Sequence, residues 1–196
     1  VEAFFARNLA DLRALFTWMP TLLIFFTAAL TMRSWAEERR AGTLESLLTA
    51  PVTLRELILG KFLGALALQA LTLALTLPLP ITVALLGPLD WGPVIGGYLA
   101  TLALSSTYLA LGLYCSARTD NPVVALITTV ALASALHLVG SDSLTQLFAE
   151  PVASVLSALG TQSHFDAITR GVLALDDGVY TLSLAAAFLT ANYYAL

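Results

Sequence analysis

The sequence predicts an all-α, polytopic membrane protein, and three observations predict it. Of its 196 residues, 58% are hydrophobic and only 11% charged, with a mean hydropathy of +0.84. A soluble domain of this length carries about a quarter charged residues, so the solvent for most of this chain is lipid. Residues 14–32, 62–89, 91–117, 121–141 and 178–196 contain no Asp, Glu, Lys or Arg at all. About 20 apolar residues, rising 1.5 Å each, cross the hydrocarbon core, so each stretch is long enough to span. The period-2 alternation of a barrel strand is missing, and helices satisfy their own backbone groups in lipid.

The elements follow in chain order. Arg7, Asp11 and Arg13 interrupt any apolar leader in residues 1–13. The chain opens on Val1 and stops at Leu196 inside an apolar run. It reads as a single membrane domain, 1–196, shortened at both ends: five visible spans of an expected six, the sixth preceding Val1. Charge sets the orientation. Arg33, Arg39, Arg40, Arg55 and Lys61 lie between the first two spans, and Arg118 between the third and fourth. The alternate side holds Arg7, Arg13 and Arg170 against Asp90, Asp142, Glu150, Asp166, Asp176 and Asp177. The positive-inside rule puts the first set in the cytoplasm, and residues 1–13 and 141–177 outside. The chain is expected to be multi-pass in a bacterial inner membrane.

The loop after the first span is the most informative segment. Leu44, Leu47 and Leu48 fall on one helical face, after the mixed-charge cluster Glu37, Glu38, Arg39 and Arg40. Gly42 permits a bend or a close backbone approach. Ala50-Pro51 stops this helix, and Thr53-x-x-Glu56 has the spacing of a capping box that starts the next. A short amphipathic helix therefore lies on the membrane surface. It either anchors the loop or docks a partner.

Further along, Pro78 and Pro80 each remove a backbone donor inside the second span, and a kink or helix break is expected there, as shape or as hinge. Asn121-Pro122 is a helix start. In 141–177, Leu144, Leu147 and Phe148 share one helical face, and Val152, Val155, Leu156 and Leu159 another. The uncharged part is too short to span, so two short helices dipping into the outer interface, broken at Gly160, are expected. Asp166 and Arg170 stand four apart and could pair on a helix.

Several chemistries are excluded. No Gly-x-x-x-x-Gly-Lys-Ser/Thr loop exists to cradle nucleotide phosphates, and Gly60-Lys61 runs into Phe62. The net charge of -4 offers no basic patch for nucleic acid. Cys115 is the sole cysteine, so no internal disulfide forms. Cys115, His137 and His164 are too far apart for metal-ligand spacing, and no nucleophile–base–acid set is recognisable, so no cofactor, metal or catalytic residue is expected. No ionisable residue sits deep in a span, as ion-coupled pumps require, and His137 lies near a span end. Gly60-x-x-x-Gly64 and Gly92-x-x-x-Gly96 permit close helix packing.

The stretch RSWAEERRAGTLESLLTAPV (33–52), followed by ELILGK (56–61), resembles the signature of ABC-2 type permeases. The similarity is greatest to the gliding-motility-associated branch, and Asp90-Trp91-Gly92, Thr119-Asp120-Asn121, His164-Phe165-Asp166 and Arg170-Gly171-Val172 share it. The resemblance implies an export permease without its own nucleotide site. A separate ABC ATPase would dock on a coupling helix through Glu38, Gly42, Thr43, Glu45 and Leu48. It also implies a second permease, identical or related, and paired re-entrant helices before the last span. An uncharged pathway suits amphiphilic, lipid-linked or polymeric cargo. The alternative is a non-transporting assembly or anchor subunit driven by an ATPase. A membrane-embedded enzyme is disfavoured by the missing polar constellation.

Overall fold

The computed structural model describes residues 13–49, 51–87, 89–149, 151–169 and 175–196. The expected outer placement of residues 1–12, the helix stop at Ala50, Glu150, the Asp166–Arg170 pair and the Arg170-Gly171-Val172 motif fall on residues outside that set. Every regular element described is helical: α1 (Arg13–Thr31), α2 (Ala36–Arg40), α3 (Leu44–Leu48), α4 (Leu54–Ala74), α5 (Pro78–Leu86), α6 (Trp91–Ala117), α7 (Pro122–Val139), α8 (Asp142–Thr145), α9 (Val152–Leu159), α10 (Thr161–Thr169) and α11 (Leu175–Ala195). The fold is an all-α polytopic membrane protein.

Four helical runs among the described residues are long and apolar enough to cross a membrane: Leu15–Arg40, Leu54–Leu86, Trp91–Ala117 and Pro122–Val139. At 21 residues, α11 has the length for a fifth crossing, but Tyr180, Asn192, Tyr193 and Tyr194 dilute its apolar character.

Local signals account for the helix ends. Thr53 and Glu56 close a full capping box on α4: the Thr53 hydroxyl accepts from the Glu56 N–H, and the Glu56 carboxylate from the Thr53 N–H at 2.8 Å. Asp90 accepts from Gly92 N–H to start α6, and Asn121 from Val123 N–H to start α7, with Pro122 at the first helical position. Between α4 and α5 the backbone tightens. Thr76, Leu77 and Leu79 donate three residues back rather than four, and α5 starts on Pro78, whose missing N–H costs nothing at a helix start.

The centre of the bundle is α6, which packs against α1, α4, α7, α10 and α11. Of its 27 residues 18 are buried, against five in the whole α4–α5 run and three in α7. Its sequence explains this. In lipid no hydrophobic force drives helices together, so close van der Waals packing must do so, and small residues permit it. A Cβ on Gly97 would lie 2.6 Å from the Phe16 ring, and one on Gly112 would lie 2.1 Å from Thr31 Oγ1. Several buried hydroxyls satisfy themselves within their own helices: Thr101 donates to Gly97 O, Ser105 to Thr101 O, and Thr31 to Thr27 O. Leu63, Leu71, Leu75 and Leu85, along α4–α5, remain exposed, as a lipid-facing surface requires.

The basic residues between α1 and α4 gather at one end of the bundle, and α8, α9 and α10 at the other. There, α8 is a single turn, and Leu147 and Phe148 beyond it are exposed rather than part of a helical face. The two short helices expected to break at Gly160 are α9 and α10, and α10 packs on α6, α7 and α11 with Thr161 and Phe165 buried.

Candidate functional site: the helical loop at the basic end

Five-residue helices are too short to hold themselves, so α2 and α3 take their geometry from the bundle. The start of α2 has no cap of its own. The Ser116 hydroxyl, from the end of α6, supplies one. It accepts from the N–H of Trp35 at 3.0 Å and of Ala36 at 3.1 Å, and donates to Met32 O at 3.1 Å. Trp35 is fully buried, in a cluster with Ile58, Phe62, Leu109, Leu113 and Ala185.

Lys61, on α4, holds the middle of α2. Its ammonium donates to Ser34 O, pairs with Glu38 Oε1 at 2.6 Å, and sits 4.2 Å from the Trp35 ring centroid. A cation over an indole face gains from the ring quadrupole, more so when partly desolvated. Arg39 reaches Ala195 O at 3.5 Å at the end of α11. The exposed Arg33–Glu37 pair, 3.9 Å apart, contributes little.

The chain leaves α2 through Gly42, whose φ of 69° is left-handed. Gly42 N–H donates to Arg39 O and Thr43 N–H to Glu38 O, the paired bonds of a Schellman ending. Nothing lies within 4 Å of where a Gly42 Cβ would stand. Its glycine is thus required by backbone conformation, and no close approach occurs among the described residues. In α3, Leu44 and Leu47 turn toward the Trp35 cluster, while Glu45 and Leu48 face away, Leu48 39% exposed. Glu38, Thr43, Ser46 and Leu47 line a shallow depression.

Of the five expected contact residues, Gly42, Thr43, Glu45 and Leu48 are exposed. Glu38 is turned inward onto Lys61. Pro78 and Pro80 lie away from this surface, at the junction in the α4–α5 run that carries Lys61. Sequence reasoning missed Ser116 and the use made of Lys61. A cation standing directly before the charge-free run 62–89 was the available signal for Lys61. Ser116, one small polar residue among many on α6, gave none.

A second polar cluster lies at the opposite end. His164 Nδ1 and Asp177 Oδ1 are 2.6 Å apart, the His164 ring stacks on Tyr180 at 4.0 Å, and the Tyr180 hydroxyl donates to Leu159 O. Tyr108 and Thr161 hydroxyls meet at 3.0 Å beneath it. This ties α9, α10, α11 and α6 together. No group of three metal ligands occurs among the described residues.

Residues 11–195 match the family model described as ABC-2 family transporter protein. No curated protein and no solved structure matches the chain. With a bundle of apolar helices, a structured loop at its basic end and a match along nearly its whole length, the chain belongs to the ABC-2 transporter family.

Proposed function

We propose that this chain is the permease subunit of an ATP-driven exporter in a bacterial inner membrane, of the gliding-motility-associated branch. ABC-2 family permeases work with ABC ATPases and in membranes. The α2–α3 loop is the coupling segment, offering Gly42, Thr43, Glu45 and Leu48 to a separate ATPase. A second permease, identical or related, completes the pathway. The cargo is amphiphilic, lipid-linked or polymeric, as suits spans without charged residues at depth.

One observation carries this reading. The loop buries Trp35 completely and is fastened to α4, α6 and α11, yet it leaves Glu45 and Leu48 facing out. A loop that only joined two spans would need no such rigid mounting. Docked cores are disrupted most by changes at a packed centre, whereas rim charges tune association.

The test is purification of the tagged protein from its native membrane, with ATP turnover measured after reconstitution. The expected result is a bound ATPase, lost on Leu48→Asp with the permease still inserted. An ATPase that stays bound to Leu48→Asp and Glu45→Arg alike would sink the docking assignment. Turnover that rises with added lipid-linked or amphiphilic cargo separates an exporter from an assembly or anchor subunit.

A further inference from the structure

We propose that Lys61 is a positioning residue, a strut that delivers movement of the α2–α3 loop to the α4–α5 helix, which acts as the moving arm of the bundle. This rests on reading α2–α3 as the ATPase-coupling segment.

The three fastenings of α2 differ in what they hold. Ser116 joins the loop to α6, the most buried helix and the one packed against α1, α4, α7, α10 and α11. That attachment is to the fixed part of the molecule. Lys61 joins the same loop to α4, in a run whose residues are mostly exposed or half-buried. Among the described residues of that run only Ile58, Phe62, Gln69, Leu73 and Pro80 are buried. The run also carries its own flexure, where hydrogen bonding tightens at 76–79 and Pro78 and Pro80 follow. A helix held weakly along its length, with a break in the middle, is the element that packing leaves free to swing.

The contact is built to transmit. Lys61 grips one segment at three points: Ser34 O, the Glu38 carboxylate and the Trp35 ring. The side chains of Lys61 and Glu38 are only 23% and 30% exposed, so solvent screens the pair less than it would on an open surface. Glu38 Oε2 is buried without a partner among the described residues, so Lys61 is the cation that neutralises this carboxylate. A push on α2 therefore moves α4 with it.

The experiment uses the permease in complex with its own ATPase, in proteoliposomes. Cys115→Ala removes the native thiol, and Leu86→Cys places a reporter at the far end of α5. The rate of labelling by a membrane-permeant maleimide is measured with and without ATP and vanadate. We expect a several-fold change in rate on adding nucleotide. Lys61→Met should reduce that change to less than twofold while the ATPase still co-purifies in equal amount. Lys61→Arg should retain it, and the exchange Glu38→Lys with Lys61→Glu should restore it. A purely structural lysine would lose the ATPase together with the response. The strut is overturned if Lys61→Met keeps the nucleotide response, if the exchange fails to restore it, or if Leu86→Cys never responds in the intact complex. Absence of any bound ATPase in the unsubstituted protein would instead remove the coupling reading beneath it.

Discussion

The Ser116 side chain stands where the first residue of a cap would stand for a helix 80 residues away in sequence. Its oxygen meets the N–H groups of Trp35 and Ala36, both fully buried, at 3.0 and 3.1 Å. The first N–H groups of any helix lack intrahelical partners, and Trp35 has no side chain to offer them. The end of α6 thus completes α2.

Ser116→Ala should therefore loosen the loop without disturbing the spans. Each orphaned buried N–H costs about 1–3 kcal/mol. The expected outcome is a lowered thermal midpoint in detergent and faster amide exchange across residues 35–49. Exchange in α6 and α7 should be unchanged. Equal exchange in variant and parent would show that the Ser116 contacts hold nothing.

Gly112 and Gly60 make opposite predictions from the same residue type. A Cβ at Gly112 would sit 2.1 Å from Thr31 Oγ1 and 3.0 Å from Thr31 Cβ, whereas nothing lies within 4 Å at Gly60 or Gly64. Overpacking a close contact costs about 1–3 kcal/mol, so Gly112→Ala should destabilise the purified protein. Adding Thr31→Ala, which removes the nearer atom, should recover part of the loss. Gly60→Ala should be neutral or stabilising by up to about 1 kcal/mol, the helix-propensity gain of Ala over Gly. Thermal unfolding of the three variants decides it.

That contrast also marks how far the sequence could be read. The spans were legible because charge-free stretches of this length have few other uses, and the starts of α4 and α7 because Thr53-x-x-Glu56 and Asn121-Pro122 are local signals. Which glycine faces a neighbour was not legible. Gly60-x-x-x-Gly64 has the familiar packing spacing yet opens onto nothing among the described residues, while Gly112 and Gly140, without it, meet Thr31 and Gly160. Spacing reports which residues share a helix face, and tertiary structure decides what that face meets. The inward turn of Glu38 was hidden for the same reason. Its partner Lys61 lies 23 residues away and looked like one more orienting charge.

His164 and Asp177 should be energetically coupled. The Nδ1–Oδ1 distance is 2.6 Å, and the two side chains are 19% and 9% exposed. Removing one partner of a buried hydrogen bond leaves the other polar group unsatisfied, at a cost of about 1–3 kcal/mol. His164→Ala and Asp177→Ala should each destabilise the protein strongly. The double variant should cost clearly less than their sum. Strict additivity in thermal unfolding would show that α10 and α11 are joined by packing alone.

The last prediction separates two roles of Gly42. Its φ of 69° is left-handed, a region an L side chain enters at a cost of roughly 1–2 kcal/mol. Among the described residues, the space around its missing Cβ is open. In the isolated permease, then, Gly42→Ala and Gly42→Trp should lose similar stability, and Gly42→Asn less, because Asn tolerates this conformation best after glycine. In the presence of the ATPase the substitutions should diverge. A docked partner would fill the open space, so Trp should abolish co-purification where Ala only weakens it and Asn nearly preserves it. Glu38→Ala should behave differently again and leave co-purification in place, since Glu38 faces Lys61 rather than the open surface. If Trp and Ala remain equivalent in the complex, the space above Gly42 is unoccupied and this surface is not where the ATPase seats.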